Sequence, residues 1–270
     1  MEFFEYAIQY LDAHLYVCQN ASALAWNYTD SLIQLFYDAQ QLPNPYINIQ
    51  VNNSINDSYP SIIRTGVGDI TLIGQFVQWN GHEGRLDTWK PPDSTCNLFN
   101  ATEGIFFHPY LKEGENLTAF IDDAQRLVDL VYMGKVNRLG VEAFQYELAN
   151  HIFLNASQYP DNACWGPYEE GAKTPRGLFY VGATQYPEIP LYASYPHFYG
   201  GDPSLLECVD GLHPSRERIA KVDVEPTTGA GIQFQKNLQL NVMVTKHDIM
   251  YEAKISQSVI ICYACKFLLL

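Results

Sequence analysis

The sequence is short of charge, and shortest of positive charge. Charged residues make up 17% of the 270, against about 25% in an ordinary soluble domain. Lys and Arg number 16 against 30 Asp and Glu, a formal net charge of −14. Without clustered cations a chain has nothing to hold phosphate backbones, so nucleic acid is excluded as a partner. Docking on an anionic bilayer by charge alone is excluded too. There is no G-x-S-x-G nucleophile elbow, no Walker A loop and no H-E-x-x-H. Gly66-Val67-Gly68-Asp69 lacks the third glycine of a dinucleotide fingerprint. The adjacent carboxylates Asp122-Asp123 and Glu169-Glu170 do not face each other across a cleft, and no glycosidase pair stands out.

Long apolar runs are missing as well. Ser256 to Leu270 is apolar but interrupted by Lys266, and it falls short of the roughly 20 residues a spanning helix needs. Residues 1–17 carry Glu2, Glu5 and Asp12 and no Lys or Arg, unlike a secretory leader. Yet N-x-S/T tripeptides begin at Asn20, Asn27, Asn52, Asn56, Asn100, Asn116 and Asn155, where chance would give roughly one or two. As a set they are expected to be N-glycosylated on a solvated surface in the secretory pathway. The 19 tyrosines and few lysines point to the same compartment. The expectation is therefore a piece of a longer secretory-pathway protein.

Six cysteines are present: Cys18, Cys96, Cys164, Cys208, Cys262 and Cys265. Six allow fifteen pairings, and spacing does not choose among them. Cys262-x-x-Cys265 stands alone in an apolar tail, without the further ligands of a zinc site. The histidines are scattered, so no metal, cofactor or catalytic residues are assigned.

Hydrophobic residues make up 47%, enough for a sizeable core. Spacing predicts helices over 31–41, with Thr29 or Asp30 as cap, and over 117–133. Strands are predicted over 70–79, 143–154 and 178–181, with a turn at Asn80-Gly81 and loops over 84–104 and 159–176. The Asn- and Ser-rich stretch 44–61 reads as an exposed connection. The clearest pattern is 232–244, where even positions are apolar except Lys236 and odd positions are Gln, Asn and Met243. That predicts one strand of roughly 40 Å, with a dry even face. Such strands belong to large antiparallel sheets or barrels.

Several ordered motifs resemble the class B scavenger receptor family, which includes fatty acid translocase, a lysosomal integral membrane protein and insect sensory-neuron membrane proteins. They are Trp79-Asn80-Gly81; Cys96 through Asn100-Ala101-Thr102-Glu103-Gly104 with Phe107, Pro109 and Tyr110; and Ser194-Tyr195-Pro196-His197-Phe198. Asp202-Pro203, Asp210-Gly211-Leu212-His213-Pro214, Val222-Asp223-Val224-Glu225-Pro226-Thr227-Thr228-Gly229 and Gln235 to Asn241 follow. The match runs from about 66 to 245, leaving 1–65 as a divergent N-terminal region with a possible apex helix and 246–270 as a divergent apolar tail.

The resemblance implies an α+β fold, mostly antiparallel β: an incomplete barrel-like ectodomain with short helices and an internal lipid tunnel. It implies a Cys96–Cys164 disulfide; the family's other bridges would need cysteines near Ala124, Thr184 and Gly166. It implies a cell-surface or lysosomal receptor, not an enzyme, that binds lipid, lipoprotein or protein cargo. Membrane attachment would use spans absent from this chain, and no cofactor is called for. The alternatives are a lysosomal cargo receptor released by a histidine such as His151 or His197 at low pH, and a secreted hydrolase with an unrecognised site.

Overall fold

The computed structural model describes residues 28–29, 31–40, 45–46, 59–166, 174–184, 188, 190–207, 210–244 and 259–263. Packing divides the chain into two units, Met1–Asn56 with Thr245–Gln257, and Asp57–Val244 with Ser258–Leu270. In the first, helix α1 spans Ser31–Asp38, and Gln34 Nε2 donates to Asp38 Oδ1 one turn on at 2.9 Å. Asp30 lies outside the described residues. The Thr29 hydroxyl donates to the Pro45 carbonyl at 2.5 Å. Most of the connection at 44–61 also lies outside them.

The second unit is built of antiparallel sheets. β1 (Ile62–Ile63), β2 (Phe76–Trp79) and β3 (His82–Glu83) form the first. Asn80 and Gly81 both have positive φ, 44° and 83°, which matches the right-handed twist of a two-residue hairpin. Trp79 and His82 pair across that turn with stacked rings 6.3 Å apart. The predicted strand at 70–79 begins only at Phe76, because Ile70–Leu72 is a 3₁₀ turn capped by the Asp69 side chain.

β4 (Leu117–Ile121), β5 (Arg126–Arg138), β6 (Val141–Leu148), β9 (Lys221–Val224) and β10 (Gly231–Gln235) form a five-stranded sheet, ordered β10-β9-β6-β5-β4. It is curled into a half-barrel. The helix expected over 117–133 is a hairpin here. The Asp122 carbonyl accepts from Gln125 N–H, and Gln125 takes φ 44°, which reverses the chain. Leu117 then faces Leu130 and Ile121 faces Arg126. The apolar residues of this stretch fit both periods: the helical set 117, 120, 121, 124, 127, 128, 131 coexists with the alternating sets 117, 119, 121 and 128, 130. Pairing with β6 selected the second, and residues 126, 128 and 130 are buried while 129 is exposed.

β7 (Phe179–Tyr180), β8 (Leu191–Ser194), β11 (Gln239–Val244) and β12 (Val259–Tyr263) form a third sheet, ordered β12-β11-β8-β7. The strand expected over 143–154 ends at Leu148, and a 3₁₀ turn follows over Asn150–Phe153. The single strand expected over 232–244 is two. β10 and β11 belong to different sheets and break at residues 236–238. Lys236, the one charge on the expected dry face, ion-pairs with Asp123 at 2.5 Å. The expected polarity is also inverted: Gln239 and Asn241 are buried, whereas Ile232 and Phe234 are about two-fifths exposed, at 40% and 38%.

One core cluster gathers Trp89, Cys96, Leu178, Tyr180, Tyr192, Phe198 and Leu205. Cys96 is disulfide-bonded to Cys164, with Cα atoms 6.2 Å apart. Trp89 beside it is fully buried. Its indole N–H donates to the Gln125 carbonyl at 2.7 Å, and its backbone exchanges hydrogen bonds with the Asn97 side chain. A second cluster, Phe76, Leu86, Phe99, Ala101 and Phe120, lies beneath the first sheet.

Candidate functional site

The segment 102–111 contacts both edges of the five-stranded sheet. Phe120 N–H donates to the Thr102 carbonyl at 2.7 Å on the β4 side. Gly231 N–H donates to the Ile105 carbonyl, and Phe107 N–H to the Gly229 carbonyl, both at 2.8 Å, on the β10 side. Tyr110 and Leu111 N–H groups reach the Thr227 and Pro226 carbonyls. The curled sheet is thereby tied across its two edge strands, and a cavity of about 950 Å³ lies within it.

Alternation along the strands makes that cavity apolar. Val128 and Leu130 from β5, Tyr146 and Leu148 from β6, and Val222 from β9 line it. Ile232 and Phe234 from β10 and Leu238 beyond it complete the apolar wall. This bears on the polarity at 232–244: Ile232, Phe234 and Leu238 meet the cavity together with Gln233, Gln235 and Asn237, while the Gln239 and Asn241 amides are buried in the other sheet. Charged groups along the lining are Glu103, Asp122, Lys221 and Lys236. The two lysines are engaged, Lys221 lying 3.8 Å from Glu147 and Lys236 pairing with Asp123. Tyr146 is fully buried, its hydroxyl has no hydrogen-bond partner among the described residues, and burial raises its pKa. At about 950 Å³ the cavity lies at the upper end of the roughly 300–1,000 Å³ typical of ligand sites.

A smaller cavity of about 300 Å³ adjoins it, sharing Ile152 and Phe179 as lining. Arg126, first residue of β5, lines the smaller one at 2% exposure. Its guanidinium carbon sits 4.3 Å from the Trp165 ring centroid and 5.3 Å from that of Phe179. Burial pulls its pKa down to about 9, so it remains charged at neutral pH.

The motifs legible in the sequence mostly build joints. Glu225 accepts from Thr227 N–H and Thr228 N–H at 2.8 Å and from the Thr228 hydroxyl at 2.6 Å. Gly229, with φ 77°, packs so closely that a Cβ would run into the Phe107 and His108 carbonyls. Two motifs about 120 residues apart are thus each other's partners. Likewise Gln239 Oε1 accepts from His197 N–H at 2.8 Å, and Asn241 Nδ2 donates to Ser194 Oγ at 3.0 Å. His213 N–H meets His197 Nδ1 at 3.2 Å, and Arg218 lies 2.8 Å from its Nε2. His151 sits apart from these, 3.3 Å from Asp129.

Of the expected glycosylation sites, Asn100 and Asn116 are exposed and Asn155 is half-buried. Asn20, Asn27, Asn52 and Asn56 lie outside the described residues, as do Cys18, Cys208 and Cys265. Among the described residues no group of three or more His, Cys, Asp or Glu is placed to hold a metal, and no helix is long and apolar enough to cross a membrane. The cavity lining was missed in the sequence partly because seven of its residues, from Ala119 to Leu130, fall in the stretch read as helix. Arg126, the one cation in that stretch, lines the smaller cavity and was the available signal there.

Fold and site together define an antiparallel ectodomain-type domain whose curled sheet carries a mostly apolar cavity. The CD36 family model matches residues 1–261, and the chain belongs to the CD36 family. The model reaches beyond the stretch 66–245 over which the motifs are legible. The chain is similar to scavenger receptor class B member 1 of Sus scrofa, 30% identical over 88% of this chain and 46% of the relative. It is 28% identical to lysosome membrane protein 2 of Homo sapiens over 93% of this chain and 51% of that one. Sensory neuron membrane protein 1 of Ostrinia furnacalis is 29% identical over 74% of this chain and 36% of its own length. The chain spans about half the length of the first two relatives.

Proposed function

We propose that this chain supplies the lipid-binding core of a scavenger-type receptor at the plasma membrane or lysosome, acting by binding and passing on lipid rather than by chemistry. The supporting observation is the cavity of about 950 Å³ on the apolar faces of β5, β6, β9 and β10. Each acyl methylene moved from water into such a space gains about 0.8 kcal/mol, so a chain of carbons is held without any specific polar contact. Kinship with proteins named as a class B scavenger receptor and a lysosome membrane protein agrees with this reading. Cargo would be lipid, alone or delivered by lipoprotein. The seven sequons would carry glycans, and Asn100 and Asn116 have the exposure this requires.

The test is displacement of a fluorescent acyl-chain probe from the purified chain. Phe234→Asp and Ile232→Asp place a charge on the cavity wall at partly exposed positions that tolerate it. Binding is expected to weaken at least about tenfold, since an unpaired carboxylate resists desolvation. Unchanged binding in both variants would overturn the reading.

A second reading, a lysosomal cargo receptor of the same family, is favoured by one observation. His197 is held between His213 and Arg218, at a turn where His197 and Phe198 both take φ 55°. Its protonation would loosen that turn in an acidic compartment.

A further inference from the structure

Arg126 is a buried cation with no counter-charge among the described residues. Its Nε has no hydrogen-bond partner, and among the described residues no carboxylate pairs with it. The acids nearest in sequence are committed elsewhere. Asp129 is exposed and bound to Thr118 and His151, and Asp123 is paired with Lys236. An ion taken from water costs several kcal/mol unless a partner restores the loss. Stacking on an aromatic face returns about 2 kcal/mol at a desolvated site. Trp165 and Phe179 therefore offset only part of the cost.

Those rings lie over the guanidinium, and the edge with the unpartnered Nε is not engaged. That edge is the part of arginine that pairs with planar oxyanions through two parallel hydrogen bonds. Arg126 lines a cavity of about 300 Å³, room enough for a small anionic group. From this geometry we infer that the smaller cavity is an oxyanion site in which Arg126 grips a carboxylate or phosphate by its free edge, with Trp165 as the platform beneath. The anion has two possible sources. One is a free small anion; the other is the headgroup of an acyl chain that reaches past the Ile152 and Phe179 side chains lining both cavities. The anion site itself stands apart from the lipid reading, being a different cavity with a different chemistry; only the headgroup source rests on that reading.

The experiment titrates the full chain with acetate, inorganic phosphate, hexanoate and, as a neutral alkyl control, hexanol, at fixed ionic strength against chloride. Binding is read by calorimetry and by tryptophan fluorescence, with Trp165→Phe assigning the signal. Saturable binding of at least one anion is expected, weakened about ten- to a hundredfold in Arg126→Met, the loss of a charge-assisted hydrogen-bonded contact. Arg126→Lys keeps the charge but not the fork and is expected to fall between. Acetate and phosphate binding as well as hexanoate identifies a free-anion site; hexanoate alone identifies a headgroup site. Should Arg126→Met fail to fold, Arg126→Lys and the anion-dependent rise in wild-type Tm carry the test. No saturable anion binding, or equal binding in wild type and variants, overturns the inference. Hexanol reports on the apolar cavity alone, so failure of the lipid reading shows separately.

Discussion

Gly229 shows how a single residue holds the domain's ends together. Its positive φ and the Phe107 and His108 carbonyls against it leave no room for a Cβ. Gly229→Ala is expected to cost about 2–4 kcal/mol, from backbone strain plus loss of the hydrogen bonds to 105–111; denaturant unfolding measures it. Glu225 beside it has a pH signature. Burial pushes its carboxyl upward, but the Thr228 hydroxyl and the Thr227 and Thr228 N–H groups pull it down further, to about 2. A carboxylate depressed in the folded state stabilises above its unfolded value near 4.5, and that contribution is lost as pH falls from there toward 2. The Tm gap between wild type and Glu225→Gln should be present at pH 7 and close across that window. A gap independent of pH would show that the carboxylate's charge plays no part.

At the scale of elements, sheets were legible where turn chemistry was local and hidden where pairing was distant. Asn80-Gly81 specified its hairpin because the required left-handed backbone is written in those two residues. The stretch 117–133 could not be read that way, since its apolar spacing satisfies both periods and only β6 decides between them. The alternation at 232–244 was real, but which face is dry depends on the sheet each half joins. Gln239 and Asn241 are buried because Ser194 and the His197 backbone satisfy them. Asn241→Leu should therefore destabilise by about 2–4 kcal/mol, despite adding apolar bulk, by stranding the buried Gln239 amide and removing the donor to Ser194 Oγ. A stability gain in urea unfolding would contradict this.

The turn at 194–199 gives the second pH prediction. Burial first, then Arg218 and His213, depress the His197 pKa below 6.5. The folded state then binds fewer protons than the unfolded chain, so stability is lost as pH falls below 6.5 toward the folded value. Hydrogen-exchange protection factors at Phe198 and Tyr199, corrected for the intrinsic pH dependence of exchange, should fall from pH 7 to 5 in wild type and stay flat in His197→Gln; equal pH dependence in both would exclude the histidine.

For the molecule as a whole, the family motifs and the cavity lining overlap only in part, at Glu103, Gly104, Val222 and Gln235 to Leu238. The motifs are joints between distant segments: 225–229 against 107–111, and 194–198 against 213 and 239–241. They are legible because a joint needs particular residue types. Much of the cavity wall needs only apolar side chains, so any of Val, Leu, Ile or Phe serves, and the motifs record only part of it. The central claim is that acyl chains lie on the faces of β5 and β10 within the curled sheet. The most direct test is photo-crosslinking of the purified chain with a diazirine-bearing fatty acid, mapped by peptide mass spectrometry. Labelling confined to 126–130 and 231–238, and competed by unlabelled fatty acid, is the predicted result. Labelling confined instead to exposed apolar sites outside the cavity, such as Ile62, Ile63 and Tyr110, would contradict it.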